Sequence, residues 1–154
     1  MSIKQGKELA KYLKDKKNLL LLVGELAEEV DFDSRKLLDY AADIASKLKA
    51  PVAATGNTSL ALREKGVSPI SKMWASEIVN YMRFTWQEDI SKERPEVLIL
   101  IGYPPVIAEN LASMVNDAET VVLGNTYVES ATYSLPDSSS LRNWEQSLQD
   151  LINA

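Results

Sequence analysis

The chain has 154 residues, 45% of them hydrophobic and 25% charged, with a formal net charge of −5 and no cysteine or histidine at all. That length suits one domain around one proper core, expected to run over residues 1–154, and the composition is that of a globular chain rather than a disordered one. The two missing residue types exclude disulfides, iron–sulfur ligation, Cys/His zinc sites, cysteine nucleophiles and every imidazole-based triad.

The first segment, Ile3–Lys16, carries Leu9, Tyr12 and Leu13 at helical spacing and leads into the apolar run Leu19–Val23. Its charges, Lys7–Lys17, read as a solvated helix face. Elsewhere Lys and Arg look scattered, so an acidic chain without a basic patch disfavours a nucleic-acid partner. No run approaches the roughly 20 apolar residues that a bilayer span needs, and the amino terminus lacks a signal peptide's apolar segment. The expected location is the cytoplasm, with no membrane partner.

After Gly24 the spacing of Leu37, Leu38, Ala41, Ile44, Ala45 and Leu48 predicts a helix over Ser34–Leu48, capped by Asp33 or Ser34. The run Val52–Thr55 follows, then a short helix over Thr58–Lys65, capped by Asn57 or Thr58 and stopped by Gly66. Ser68-Pro69 makes a turn. The stretch Lys72–Phe84 places Trp74, Ile78, Tyr81 and Met82 at helical spacing, which reads either as a core-facing helix or as one that leaves Met73, Tyr81, Phe84 and Trp86 partly exposed for a partner. Gln87–Pro95 is a loop, Val97–Ile101 a strand, and Pro104-Pro105 opens a helix containing Ile107, Leu111, Met114 and Val115. Thr120–Leu123 is the fourth strand. Irregular Asn125–Ser140 precedes a last helix, Leu141–Ile152, with Trp144, Leu148, Leu151 and Ile152 inward.

Strands alternating with helices predict an α/β fold, with right-handed crossovers and helices on both faces of a mostly parallel sheet. Four of the six glycines, Gly24, Gly56, Gly102 and Gly124, each follow one of the four apolar runs. They lie at the carboxyl ends of the strands, the edge where open α/β sheets bind nucleotides. Thr55-Gly56-Asn57-Thr58-Ser59 offers a helix start with free N–H groups and three hydroxyls, suited to a phosphate; the alternative is that Gly56 only turns the chain and Asn57 or Thr58 only caps the helix. Neither GxGxxG nor a Walker A loop is present. Pro104 and Pro105 remove two N–H donors from the next turn, so an anion is not expected there. Tyr103 and Tyr127 are candidates to stack on a flat ring or to pack, Asn125 is a second candidate wall, and Glu25 a candidate ribose acceptor. Glu28, Glu29 and Asp31 read as a solvated acidic turn, and no spacing fixes two carboxylates across a substrate.

Pro51–Val67, PVAATGNTSLALREKGV, resembles the central signature of the epsilon subunit of archaeal acetyl-CoA decarbonylase/synthase, the carbon monoxide dehydrogenase complex. Leu19–Gly24, Glu77–Met82 (EIVNYM), Val97–Gly102 and Tyr133–Pro136 (YSLP) are similar in order to further segments of that family. The resemblance implies a Rossmann-like three-layer α/β/α domain of the DHS-like NAD/FAD-binding type. It also implies a non-catalytic subunit that joins a nickel–iron–sulfur alpha subunit in an α2ε2 component, stabilising it or assisting electron transfer to FAD. Tyr103-Pro104-Pro105 and Tyr127-Val128-Glu129-Ser130 depart from the family's tyrosine-rich and Tyr-His-Pro-Asn-like turns.

The expected site is a flavin-sized crevice lined by Gly24, Thr55, Gly56, Asn57, Gly102 and Asn125. In it Gly56, Asn57 and Thr58 would hold the pyrophosphate, Glu25 would meet ribose, and Tyr103 or Tyr127 would lie against rings. FAD is the expected cofactor ahead of NAD, no metal is expected on this chain, and no catalytic residue is assigned. The alternatives are a free-standing NAD- or FAD-binding protein with its own redox reaction, and a purely structural subunit whose nucleotide fold is empty.

Overall fold

The computed structural model describes residues 2–154. Six strands form one sheet: β1 (Leu19–Val23), β2 (Val52–Ala54), β3 (Ile70–Lys72), β4 (Val97–Ile101), β5 (Glu119–Val122) and β6 (Tyr133–Ser134). Their order is β3-β2-β1-β4-β5-β6 and every neighbouring pair is parallel. The sheet is therefore wholly parallel, beyond the mostly parallel arrangement expected.

Period-two burial explains why β1 and β4 are apolar at every position. Leu19, Leu21 and Val23 enter one core while Leu20 and Leu22 enter the other, and Val97, Ile99 and Ile101 oppose Leu98 and Leu100 in the same way. Each such side chain contributes roughly 1.5–3 kcal/mol by leaving water, so the two central strands, in register from Leu19↔Val97 to Val23↔Ile101, anchor the molecule. Helices α1 (Gly6–Lys14), α3 (Leu37–Leu48), α4 (Gly56–Glu64) and α7 (Leu141–Asn153) pack on one face, and α5 (Ala75–Arg83) and α6 (Pro105–Met114) on the other. The one-turn α2 (Leu26–Glu29) follows β1. This is a Rossmann-like three-layer α/β/α fold, as expected.

Several boundaries differ from the sequence reading. Strand β3 lies between the Ser68-Pro69 turn and the segment read as helix, and β6 in a stretch read as irregular, because each is two or three residues long at a sheet edge and carries no apolar run. The outer side of β6 is covered by the chain's own start, with the Ser134 N–H donating to the Ser2 carbonyl at 2.9 Å. Helix α3 begins at Leu37, after a left-handed Asp33, because the Asp39 carboxylate accepts the Lys36 N–H at 2.9 Å and fixes Lys36 outside the helix. Helix α4 begins earlier than expected, with Thr55 at its N-cap, and Gly66 (φ +85°) ends it as foreseen.

Candidate functional site

The strand order reverses direction between β1 and β4, so their carboxyl ends flank a crevice. The two glycines there serve each other before any ligand. The Gly24 N–H donates to the Ile101 carbonyl at 2.8 Å, and the Leu26 N–H donates to the Gly102 carbonyl at 3.0 Å. A Cβ on Gly24 would collide with the Gly102 carbonyl and lie 2.7 Å from the Tyr103 ring; one on Gly102, whose φ is +86°, would lie 2.8 Å from the Gly24 carbonyl. Close backbone crossing thus explains both residues. It also occupies the start of α2, whose Ala27 and Glu28 N–H groups donate to Gly24 and Glu25.

Beyond this crossing lies a cleft of about 400 Å³. Val23, Leu26, Pro104, Ile107 and Leu111 line it, together with Thr55 and the exposed Trp74. The Tyr103 ring sits over Gly24, and burial alone pushes its phenol pKa above the ordinary tyrosine range; no described group accepts from its hydroxyl. An apolar pocket with one half-buried phenol suits a flat or aliphatic group.

A second concavity, of about 430 Å³, adjoins the first through Glu25, Glu29, Thr55 and Trp74. It holds the start of α4, where no side chain caps the helix. The Gly56, Asn57 and Thr58 N–H groups there are the donors a phosphate would use. Two of the three hydroxyls are already engaged, Thr58 donating to Glu28 at 3.0 Å and Ser59 to the Gly56 carbonyl at 2.7 Å, and the third, Thr55, lines the space. Glu25, Glu28 and Glu29 line the same space, and Lys72 beside Gly56 is the cation near it. A helix start favours an anion by about 0.3–1 kcal/mol. A carboxylate about 4 Å away opposes it by about 1 kcal/mol in water and about 4 near a protein surface. Three carboxylates and one ammonium border the helix start, a lining of net negative charge. The residues present fit the ring of a dinucleotide and do not fit its diphosphate.

Of the residues singled out in the sequence, Gly24, Glu25, Thr55 and Tyr103 line the apolar cleft, and Gly56 and Asn57 line the acidic one. Thr58 is buried beneath Glu28, and Gly102 is buried in the crossing. Asn125 and Tyr127 line neither space. They belong to the β5–β6 connection, where the Asn125 carbonyl accepts from Ser138 and the Tyr127 N–H donates to Asp137.

Trp74 is the residue that spacing misplaced. Helical periodicity placed it within the helix over Lys72–Phe84, whereas it is the N-cap of α5 and 64% exposed. The signal was present: Glu77, three residues on, accepts the Trp74 N–H at 3.0 Å, half of a capping box. Glu28 and Glu29, read as a solvated turn, are part of the site wall.

Fold and crevice together define a Rossmann-like α/β/α protein with a glycine-crossed cleft at its topological switch point. No protein-family model matches the chain, and no curated protein matches it. Among the described residues, no group of three or more His, Cys, Asp or Glu could hold a metal, and no helix is long and apolar enough to cross a membrane.

Proposed function

We propose that this chain is a non-catalytic accessory subunit of the acetyl-CoA decarbonylase/synthase epsilon type. It docks on a nickel–iron–sulfur catalytic subunit through the rim of the switch-point cleft. The observation that carries the reading is the apolar rim itself: Trp74 is 64% exposed, and Val106 and Ile107, in the first turn of α6, are 70% and 44% exposed. Trp74 and Ile107 face the same cleft. A tryptophan beside aliphatic side chains at a concave mouth is the kind of anchor that dominates a protein interface once water is excluded.

Two further features support it. The signature-like segment Pro51–Val67 supplies β2, α4 and, between them, Thr55 of the cleft lining, and the chain's lack of cysteine and histidine leaves cluster ligation to a partner. The mechanism is positional. The rigid β1–β4 crossing holds the rim, the rim buries apolar surface of the partner, and the cleft receives a protruding side chain. The glutamates beside the α4 start oppose a diphosphate, which disfavours both FAD-assisted electron transfer and a free-standing NAD or FAD protein.

The test is anaerobic size-exclusion chromatography with light scattering on this chain mixed with a purified catalytic subunit of that complex, beside isothermal titration of the chain with FAD and with NAD. Expected are a stoichiometric complex, at least about tenfold weaker for Trp74→Ala, and no saturable heat from either nucleotide. No complex, or full affinity in the variant, overturns the docking; saturable FAD binding restores the cofactor reading.

A further inference from the structure

The opposite, amino-terminal edge of the sheet carries a cavity of about 460 Å³ that the sequence reading did not foresee. Lys14, Lys16 and Lys17, from the stretch expected to be a solvated helix face, converge there with Lys47, Lys49 and Lys92, expected to be scattered, brought together by the α1–β1 turn, the α3–β2 turn and the loop before β4. The one carboxylate among the lining residues, Glu93, accepts from the Asn18 amide at 3.0 Å. In a chain of net charge −5, six lysines around one concavity is a marked segregation of charge.

Helix ends account for part of this. Lys14 and Lys47 lie in the last turns of α1 and α3, where cations complement the helix dipole, and both donate to the Ala154 backbone oxygen. Lys16 pairs with Glu119 at 2.7 Å. Lys17 and Lys92 lie outside any helix, and with Lys49 they make no ion pair among the described residues. Desolvation first, and then the neighbouring Lys14 charge, hold Lys47 below the ordinary lysine pKa.

We propose that this lysine-lined cavity binds a small polyphosphate anion, a metabolite-sized ligand with two or more adjacent phosphate groups. The cavity is of ligand size, and Leu13, Leu48 and Pro51 give it apolar wall for an organic moiety. All its cationic groups are lysine ammoniums, compact charges that suit a multivalent phosphate, whereas planar bidentate recognition of carboxylates favours arginine. The net negative charge of the rest of the chain confines attraction to this one concavity and disfavours a long polyanion laid across the surface.

The experiment is isothermal titration with inorganic tripolyphosphate, which leaves the nucleotide question aside and engages the edge away from Trp74. The expected result is saturable one-site binding that weakens as NaCl rises from about 0.05 to about 0.5 M. Lys17→Ala/Lys92→Ala binds at least about tenfold more weakly. Lys17→Arg/Lys92→Arg retains most of the affinity, and Lys7→Ala/Lys11→Ala, the same charge change outside the cavity, stays within about twofold. The proposal is overturned by an absence of saturable heat or by equal losses in the two alanine pairs. It is equally overturned by citrate binding as tightly as tripolyphosphate, or by tighter binding to RNA or polyglutamate, which would mark a macromolecular partner.

Discussion

The two edges of the one sheet are built on opposite principles. At the carboxyl edge, Gly24 and Gly102 press backbone against backbone, leaving an apolar cleft rimmed by Trp74 and bordered by Glu25, Glu28 and Glu29. At the amino edge, long flexible lysines surround a basic cavity. A net charge of −5 therefore conceals a molecule polarised along its strands. Shape at the first edge is fixed by sterics within about an ångström, whereas affinity at the second is set by charge and screened by salt. Substitutions in the glycine crossing act on folding, and those of the cavity lysines act chiefly on binding.

The sharpest break of that contrast is Gly24→Ala. Its methyl group would meet the Gly102 carbonyl and the Tyr103 ring, and the carbonyl belongs to the crossing that also receives the Leu26 N–H. Overpacking of this kind costs about 1–3 kcal/mol, and the backbone collision puts this case at about 3 or above. Gly56→Ala is the control: a Cβ there meets nothing closer than Lys72 Cε at 3.8 Å, so stability stays within about 0.5 kcal/mol of the parent. Urea unfolding of the two variants reads the difference directly, and equal midpoints would show that the crossing is not rigid.

A smaller but informative effect follows from neutralising the acidic wall. In Glu25→Gln/Glu28→Gln/Glu29→Gln the Thr58 hydroxyl keeps an amide oxygen to donate to, while the α4 start loses its opposing charges. If those carboxylates alone keep phosphate from the Gly56, Asn57 and Thr58 N–H groups, pyrophosphate affinity at that edge rises by about a hundredfold, the equivalent of about 3 kcal/mol. Titration of the triple variant carrying Lys17→Ala/Lys92→Ala isolates this edge from the basic cavity. An unchanged affinity would mean that the helix start is closed to phosphate for another reason.

How much of this was legible follows the length scale of each feature. Leu19–Val23 and Val97–Ile101 announce central parallel strands because burial on both faces demands unbroken apolar runs, and their following glycines marked the switch point. Ile70–Lys72 and Tyr133–Ser134 pair at edges through backbone groups alone, which leave no trace in side-chain pattern. Gly24 and Gly102 were found for a ligand's sake and turn out to make room for each other. Periodicity placed Trp74 in a helix, and only the Glu77 cap three residues later discloses that it lies outside. The lysine cavity was illegible in principle: its members come from three turns distant in sequence, and charge counted along the chain does not register convergence in space.

The least perturbing probe joins the charge of the amino edge to stability. Lys16, one of the cavity lysines, hydrogen-bonds Glu119 at the start of β5, and this partner holds the Glu119 carboxyl below its ordinary value of 4.5. A depressed carboxyl pKa contributes stability that is fully present above the unfolded value and is lost as the pH falls through the folded one. Glu119→Gln therefore costs a few tenths of a kcal/mol at neutral pH, as expected for a half-exposed pair, at about the lower end of exposed salt bridges. It also flattens the acid limb of stability below about pH 5. The same change releases Lys16 into the cavity, so tripolyphosphate binds about two- to fivefold more tightly at low salt and equally at high salt. Opposite signs for stability and affinity from one substitution distinguish a cavity that stores uncompensated positive charge from lysines that serve only to hold the fold.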